Sequence, residues 1–299
     1  MQKSVITRPE IKTVTFLICT HDRGNDRLPL LKQCIVGVRN QTPVPGVSLE
    51  IVLCDNGTRQ NEDVLRAICP EAHYVYEPKR GYSNARNSAL QTGLNNTTAE
   101  LFIFIDDDVL PGSNVVENCL ATIHSFHADV AGGGVSKTAD QRIKKVATSC
   151  VSFRRWIAET ITFCPEANLL GHEDHEFFAD AKRAGAKMVA CPGAQAVESP
   201  QPNRPKEAHR LAGVSARNHI RIARQRHGLG IALCTYLHLY AVRGVRAVVL
   251  TVSALLLRDE NMRGLAQKNA VMHRGAVEGF YRPGLDREQA KHGRCVEVR

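Results

Sequence analysis

The stretch Leu101-Phe102-Ile103-Phe104-Ile105-Asp106-Asp107-Asp108 constrains this chain more than any other. Five consecutive apolar residues, rich in branched and aromatic types, match a strand buried on both faces. Three carboxylates follow without a spacer, and Pro111-Gly112 then turns the chain away. Like charges packed this closely raise one another's pKa and repel. A divalent cation removes that cost, and hard carboxylate oxygens suit Mg²⁺ or Mn²⁺. An acidic triplet on an isolated loop would read as a solvated turn. Here it stands at the carboxyl end of a buried strand, where open α/β sheets place their ligands, and the metal-site reading is the stronger one.

The rest of the front half repeats the pattern. Val14–Cys19 reads as a buried strand ending in Thr20-His21-Asp22-Arg23, and Leu49–Cys54 as a second ending in Asp55-Asn56-Gly57. His73–Tyr76 is a weaker third strand. Helical spacing covers Leu28–Arg39, Glu62–Ile68, Tyr82–Leu90 and Asn114–Phe126, and Asp129–Val135 returns as a strand through three glycines. This β-α alternation predicts an α/β fold with a mostly parallel sheet flanked by helices. Further on, Gly171–Glu176 opens a helix ending at Gly185, and Lys187–Cys191 reads as a strand closed by Pro192-Gly193. Asp22, Asp55 and Asp106–Asp108 all follow strands, so they converge at one sheet edge as a nucleotide and metal site. No Gly-x-Gly-x-x-Gly follows the first strand and no Walker lysine is present, which argues against dinucleotide-binding and P-loop enzymes. His172 and His175 stand three apart without an obvious third ligand, so zinc is disfavoured. The acids beside them also suit a helix's first turn simply by complementing its dipole.

Charge and cysteine usage narrow the partners. The 299 residues carry a net charge of +9, with arginine and lysine dense from Lys182 onward. Such an asymmetry points to an anionic partner. Aromatic residues make up only 5% and do not interleave with the basic ones, which argues against nucleic acid. Ten cysteines without a Cys-x-x-Cys pair, several inside apolar runs, indicate reduced, cytoplasmic usage rather than a disulfide framework. The first residues lack an apolar core of the kind a secretion signal has, and none is expected.

Five motifs in order then resemble an inverting glycosyltransferase of GT-A fold, family 2, closest to the bacterial exopolysaccharide and cell-surface glycan subgroup. They are the first strand with Thr20–Arg23, Asp55-Asn56-Gly57-Thr58, Gly81-Tyr82-Ser83-Asn84-Ala85-Arg86-Asn87, Asp106–Asp108 and Glu173-Asp174. The likeness spans roughly Val14 to Arg226. It implies that Thr20, Arg23, Asp55, Arg86, Asn87, Asp106 and Asp107 bind a nucleotide-sugar, with Thr20 and Asp55 at the base, commonly uracil. Asp106 would touch the ribose, Asp107 would be structural, and Asp108 would ligate Mn²⁺ or Mg²⁺. Asp174 would be the general base, and Glu173 would place the acceptor or that base. The acceptor implied is a glycan or lipid-linked glycan. Where many relatives carry a histidine, this chain has Ala196-Val197-Glu198-Ser199-Pro200, and Cys150-Val151-Ser152 replaces an expected asparagine. A nucleotidyltransferase would show a glycine- and arginine-rich loop after the first strand, which Thr20–Arg23 does not provide. A non-catalytic binding protein would have lost Asp108 or Asp174, and both are present.

The last third reads as a helical extension. Arg217, Arg221, Arg224 and Arg226 lie on a helix, and apolar 229–257 is interrupted by His238, Arg243, Gly244 and Arg246. Two arginines near the middle disfavour a membrane span and predict two helices broken at Gly244. The sequence thus divides into a catalytic domain over 1–212, an extension over 213–284 with an anionic membrane surface as candidate partner, and a polar tail over 285–299.

Overall fold

A computed structural model describes residues 9–21, 27–57, 61–136, 149–164, 173–199, 204–257 and 260–281. Described residues up to 199 build one compact unit, and those from 204 onward a second. The first unit alternates β1 (Thr13–Thr20), α1 (Leu28–Arg39), β2 (Ser48–Asp55), α2 (Glu62–Ile68), β3 (His73–Tyr76), α3 (Tyr82–Asn96) and β4 (Leu101–Asp106). It continues with β5 (Val109–Pro111), α4 (Val115–Ser125), β6 (Val130–Ser136), β7 (Cys150–Arg154), α5 (Arg155–Thr160), α6 (Glu173–Arg183) and β8 (Met188–Glu198). All eight strands join one sheet in the order β3-β2-β1-β4-β7-β6-β8-β5.

The parallel half, β3-β2-β1-β4, sets the site. Register pairs Thr20 with Asp55 on one side, while its neighbour Cys19 pairs with Asp106 on the other. Three motif-bearing strand ends therefore lie side by side without any loop having to bring them together. β7 runs antiparallel to both β4 and β6, and β5 antiparallel to β8.

The pleat explains the two cores. Phe16, Ile18, Leu101, Ile103 and Ile105 face α1, α2 and α4, where they meet Leu31, Ile35, Leu65 and Val115. Leu17, Phe102, Phe104 and Phe153 face α3, α5 and α6, where they meet Ala89, Ile157, Phe177 and Phe178. The same two-residue period divides the acidic triplet, so Asp106 shares the parity of Phe102 and Phe104, and Asp107 that of Ile103 and Ile105.

Three sequence expectations need correction. α3 runs to Asn96 rather than Leu90, because Gly93 is held in the helix by a close approach to the sheet. A Cβ there would stand 2.8 Å from the ring of Phe102. β8 does not close at Pro192-Gly193 but continues to Glu198. The two residues fall between its paired stretches 188–190 and 195–197, where extra residues in β8 shift its register against β6 and release proline from the ladder. In the second unit, α7 (Arg204–Leu257) passes through Gly244 and breaks instead at Gly228, with φ 84° and ψ 174°. That positive φ requires glycine. Gly244 remains helical against His273 of α8 (Glu260–Tyr281), 3.2 Å from where its Cβ would be. Ile220, Tyr236 and Ala276 form the small core of this unit.

Phe153 anchors the second core, its ring within 6.5 Å of those of Phe102, Phe104, Phe177 and Phe178. Phe153→Ala is expected to lower stability by about 3–5 kcal/mol. The change should appear in denaturant titration as a shifted midpoint with an unchanged slope.

Candidate active site at the carboxyl edge of the sheet

The acidic triplet is compensated by two arginines from different elements. Arg27, immediately before α1, donates from Nη1 to Asp107 Oδ1 and lies 3.9 Å from Asp108 Oδ2. Thr20, the last residue of β1, donates its hydroxyl to Asp107 Oδ2 at 2.7 Å. On the opposite face Arg86, in the second turn of α3, donates to Glu173 Oε1 at 2.6 Å and stands 3.6 Å from Asp106 Oδ1. The Arg86 guanidinium also lies over the rings of Tyr82 and Phe163, each 5.5 Å from its carbon. Arg86 thus serves Asp106, and Arg27 serves Asp107 and Asp108.

These charges are removed from water. Arg86, Asp107, Asp108 and Glu173 are buried, whereas the Asp106 side chain is 41% exposed and Asp174 is half-buried. Burial works against the Arg86 charge, but Glu173 and Asp106 outweigh it and raise the pKa. Burial also raises Asp106, partly offset by Arg86, while Asp108 and Glu173 push it further up. Asp107 is pushed up by burial to about 6, against the opposing pull of Arg27 and Thr20.

The second strand end is built around its own carboxylate. Asp55, fully buried, accepts Gly57 N–H at 2.7 Å and the Tyr74 hydroxyl at 3.2 Å. Asn56 donates to the carbonyls of Glu77 and Lys79 at 2.8 and 2.9 Å and accepts Gly81 N–H at 2.8 Å. This ties the β2 end to the start of α3, where Gly81 has a φ of 131°. Asn87 exchanges two hydrogen bonds with the backbone of Phe163, at 2.9 and 2.8 Å. Its amide therefore fixes the segment that places Phe163 beside Arg86.

Glu173 and Asp174 open α6, whose first turn also holds Glu176. Glu173 Oε2 is buried without a hydrogen-bond partner among the described residues. Asp174 Oδ1 accepts His175 N–H at 2.7 Å. Glu198, the last residue of β8, stands opposite Val109, and Ser199 N–H donates to the Asp108 carbonyl at 2.8 Å. The β5–β8 pairing therefore carries Glu198 to the acidic triplet.

Thr20, Asp106, Asp107 and Asp108 are thus brought together with Arg86 and Glu173, and Asp55 stands beside Thr20 in register. Arg23 and His172 lie outside the described residues. Sequence reasoning missed Arg27, Asn56, Tyr82 and Phe163. Arg27 carried one usable signal, since a residue just before α1 stands at the same sheet edge as the end of β1. Tyr82 lay inside the quoted glycine-to-asparagine motif, and Phe163 gave no local sign.

The donor chemistry fits a divalent cation. Asp106 and Asp108 offer hard oxygens and repel one another, and the carboxylates here outnumber the arginines paired with them. Among the described residues no group of three or more His, Cys, Asp or Glu side chains is arranged to hold an ion. Two carboxylates suit a metal such as Mg²⁺, which typically takes its remaining ligands from substrate phosphates and water.

Two outcomes follow from these pairings. Arg86→Ala leaves Glu173 as a buried, uncompensated charge and should destabilise the fold by about 3–5 kcal/mol, with Glu173→Gln in the same background restoring part of the loss. Asp107 has a folded pKa of about 6, above its ordinary value of 3.8. The folded state thus binds this proton more tightly than the unfolded one, and stability falls as pH rises between those values. Melting temperatures in chelator across that range should show this slope, and Asp107→Asn should flatten it.

Comparison with known proteins agrees with this architecture. The family model described as "Glycosyl transferase family 2" matches residues 15–179, more than half of the chain. Among curated proteins, none matches the sequence. Several solved structures share the fold. A mannosyltransferase, PcManGT from Pyrobaculum calidifontis, in complex with GDP-Man and Mn²⁺, has a TM-score of 0.62 at 17% identity, covering 91% of this chain and 88% of that one. GalNAc-T7 with UDP, GalNAc and Mn²⁺ has a TM-score of 0.53 at 14% identity, over 71% of this chain and 48% of that one. TarS from S. aureus has a TM-score of 0.50 at 14% identity, over 69% and 39% respectively. The matched residues include the ends of β1, β2 and β4, and the chain belongs to glycosyl transferase family 2, as a glycosyltransferase of GT-A fold.

Proposed function

We propose that this glycosyltransferase moves a sugar from a UDP-sugar to a hydroxyl of a glycan or lipid-linked glycan, with inversion and with Asp174 as general base. One observation carries the reading. Arg86 links the end of β4 to the start of α6, meeting Asp106 at 3.6 Å and Glu173 at 2.6 Å. A group for the leaving diphosphate and a group for the incoming hydroxyl are thereby held as one unit on separate elements.

The chain's own residues divide the work. Thr20 and Asp55 line the base end of the cleft, where the Asp55 carboxylate accepts a ring N–H. Arg23 completes the donor-binding set. Asp106, the most exposed acid of the triplet, turns to the ribose, while Asp107 fixes Thr20 and Arg27. Asp108 would hold Mn²⁺ or Mg²⁺. When bound, such an ion neutralises charge on the diphosphate. Arg86 adds a fixed positive charge beside the leaving group, already ordered by Glu173 and therefore needing no reorganisation as charge develops. Asn87 acts from behind by holding the Phe163 segment.

On the acceptor side, an alcohol is a poor nucleophile until a carboxylate takes its proton in the transition state. Asp174 is half-buried, so it is open to an acceptor, and it stands in the first turn of α6 beside Glu173. The unpartnered Oε2 of Glu173 is a buried acceptor for a hydroxyl of the acceptor substrate next to the one that Asp174 would deprotonate. A single base opposite the leaving group gives one displacement and inversion. The Glu198-Ser199-Pro200 segment, with Pro202 and Arg204 downstream, supports placement in the bacterial exopolysaccharide and cell-surface glycan subgroup. Reduced cysteine usage supports a cytoplasmic location.

Asp174→Asn should retain donor binding and lose transfer by a factor of at least about 10². Asp108→Ala should weaken Mn²⁺-dependent UDP binding in calorimetry, and binding equal to the parent would contradict its role. Parallel titration with GDP tests the choice of base, and product anomer analysis tests inversion.

A further inference from the structure

The second unit carries a face whose composition identifies what covers it. From Gly228 to Ser253, α7 is long and apolar enough to cross a membrane, and most of this stretch is exposed. Its inward side is narrow. Ala232 and Tyr236 are buried, and Arg243 donates to Asn269 of α8 at 3.3 Å. At about 100° per residue, Ile231, Leu237, Val245, Val248, Val249 and Val252 fall on the opposite arc. They are 50–65% exposed. No Asp, Glu, Lys or Arg lies between Arg226 and Arg243, nor between Arg246 and Arg258. Scattered apolar residues on a surface need no explanation, but a continuous stripe of this length does.

Charge decides the occupant. Between Glu207 and Asp259 the chain has no acidic residue, while Arg210, Arg217, Arg221, Arg224, Arg226, Arg243, Arg246 and Arg258 all fall in that interval. A second copy docking the same face would bring two such cationic segments together with no carboxylate of the segment to pair them. An anionic bilayer offers both complements at once, acyl chains for the stripe and phosphate-bearing headgroups for the exposed Arg224 and Arg246.

We propose that α7 lies in the plane of an anionic lipid bilayer, with its apolar arc in the headgroup–acyl boundary. Spanning is disfavoured because it would carry Arg243 and Arg246 near the bilayer centre. In the plane, Arg246, exposed at the border of the stripe, reaches the headgroups while its stem stays on apolar surface. The docking is independent of the transfer chemistry, although it would bring the enzyme to the surface where a lipid-linked acceptor resides.

The test is co-sedimentation of the full chain, without nucleotide, with vesicles of phosphatidylcholine alone or mixed with phosphatidylglycerol. Binding should require the anionic lipid, weaken steeply with salt, and be released by alkaline carbonate. Val248→Asp should lower partitioning by about tenfold or more, from the lost burial of one valine and the added like charge. Its UDP affinity should match the parent's, which also verifies folding. Absence of binding at low salt, equal binding to neutral vesicles, or indifference to Val248→Asp would overturn the proposal. Resistance to carbonate would replace docking with insertion. A vesicle-free dimer dissolved by Val248→Asp would make the face a self-association surface. None of these results depends on Asp174 being a base, so this inference and the transfer mechanism fail separately.

Discussion

Compensation of buried carboxylates at the strand ends is the constraint on which the rest of the first unit depends. Asp106, Asp107 and Asp108 close a fully buried strand, and Asp107 and Asp108 must be satisfied without bulk water while Asp106 stays 41% exposed. Arg86 and Arg27 do this from opposite faces of the sheet, with Thr20 adding a hydroxyl. A buried ion pair of this kind is weak evidence for stability, since desolvation offsets much of the attraction. Its value here is positional. Arg86 cannot satisfy Asp106 without α3 lying close to β4, nor Glu173 without α6 starting beside it.

The sheet supplies that closeness through register and pleat. Parallel pairing aligns the ends of β2, β1 and β4, so a shift of one residue would move each acid to the wrong face. The aromatic cluster of Phe153, Phe163, Phe177 and Phe178 then seats α6 against the sheet, with Phe163 stacked on Phe177 at 4.2 Å. Apolar packing thus determines where Glu173 and Asp174 stand. The second unit is organised differently, by a small core between two long helices and a broad apolar face left outward.

Elements with strong local signals were legible in the sequence. Glu62–Ile68, His73–Tyr76 and Leu28–Arg39 form as their periodicity requires, and the motif order was enough to indicate the family. What escaped had no local cause. β5 and β7 are short antiparallel strands whose identity comes from their partners. Gly244 looked like a helix break and Gly228 did not, yet positive φ is a property of the backbone path rather than of composition. Pro192 marks a strand end by composition, yet β8 continues past it because a register shift frees that position from the ladder.

The sequence by itself determined the alternation of strands and helices, the burial of β4 and the presence of an acid after each of three strands. These follow from residue type and spacing, which act over a few positions. It also determined the acid-free basic stretch of α7, a matter of composition alone. Only the tertiary structure decided that Asp107 faces Arg27 while Asp106 faces Arg86, that Asn87 holds Phe163, and that Glu173 keeps one buried oxygen unpartnered. Those facts depend on which residues, far apart in the chain, share a face of the sheet. Hydrogen bonds and ion pairs act over a few ångströms, and that distance is set by packing rather than by sequence separation.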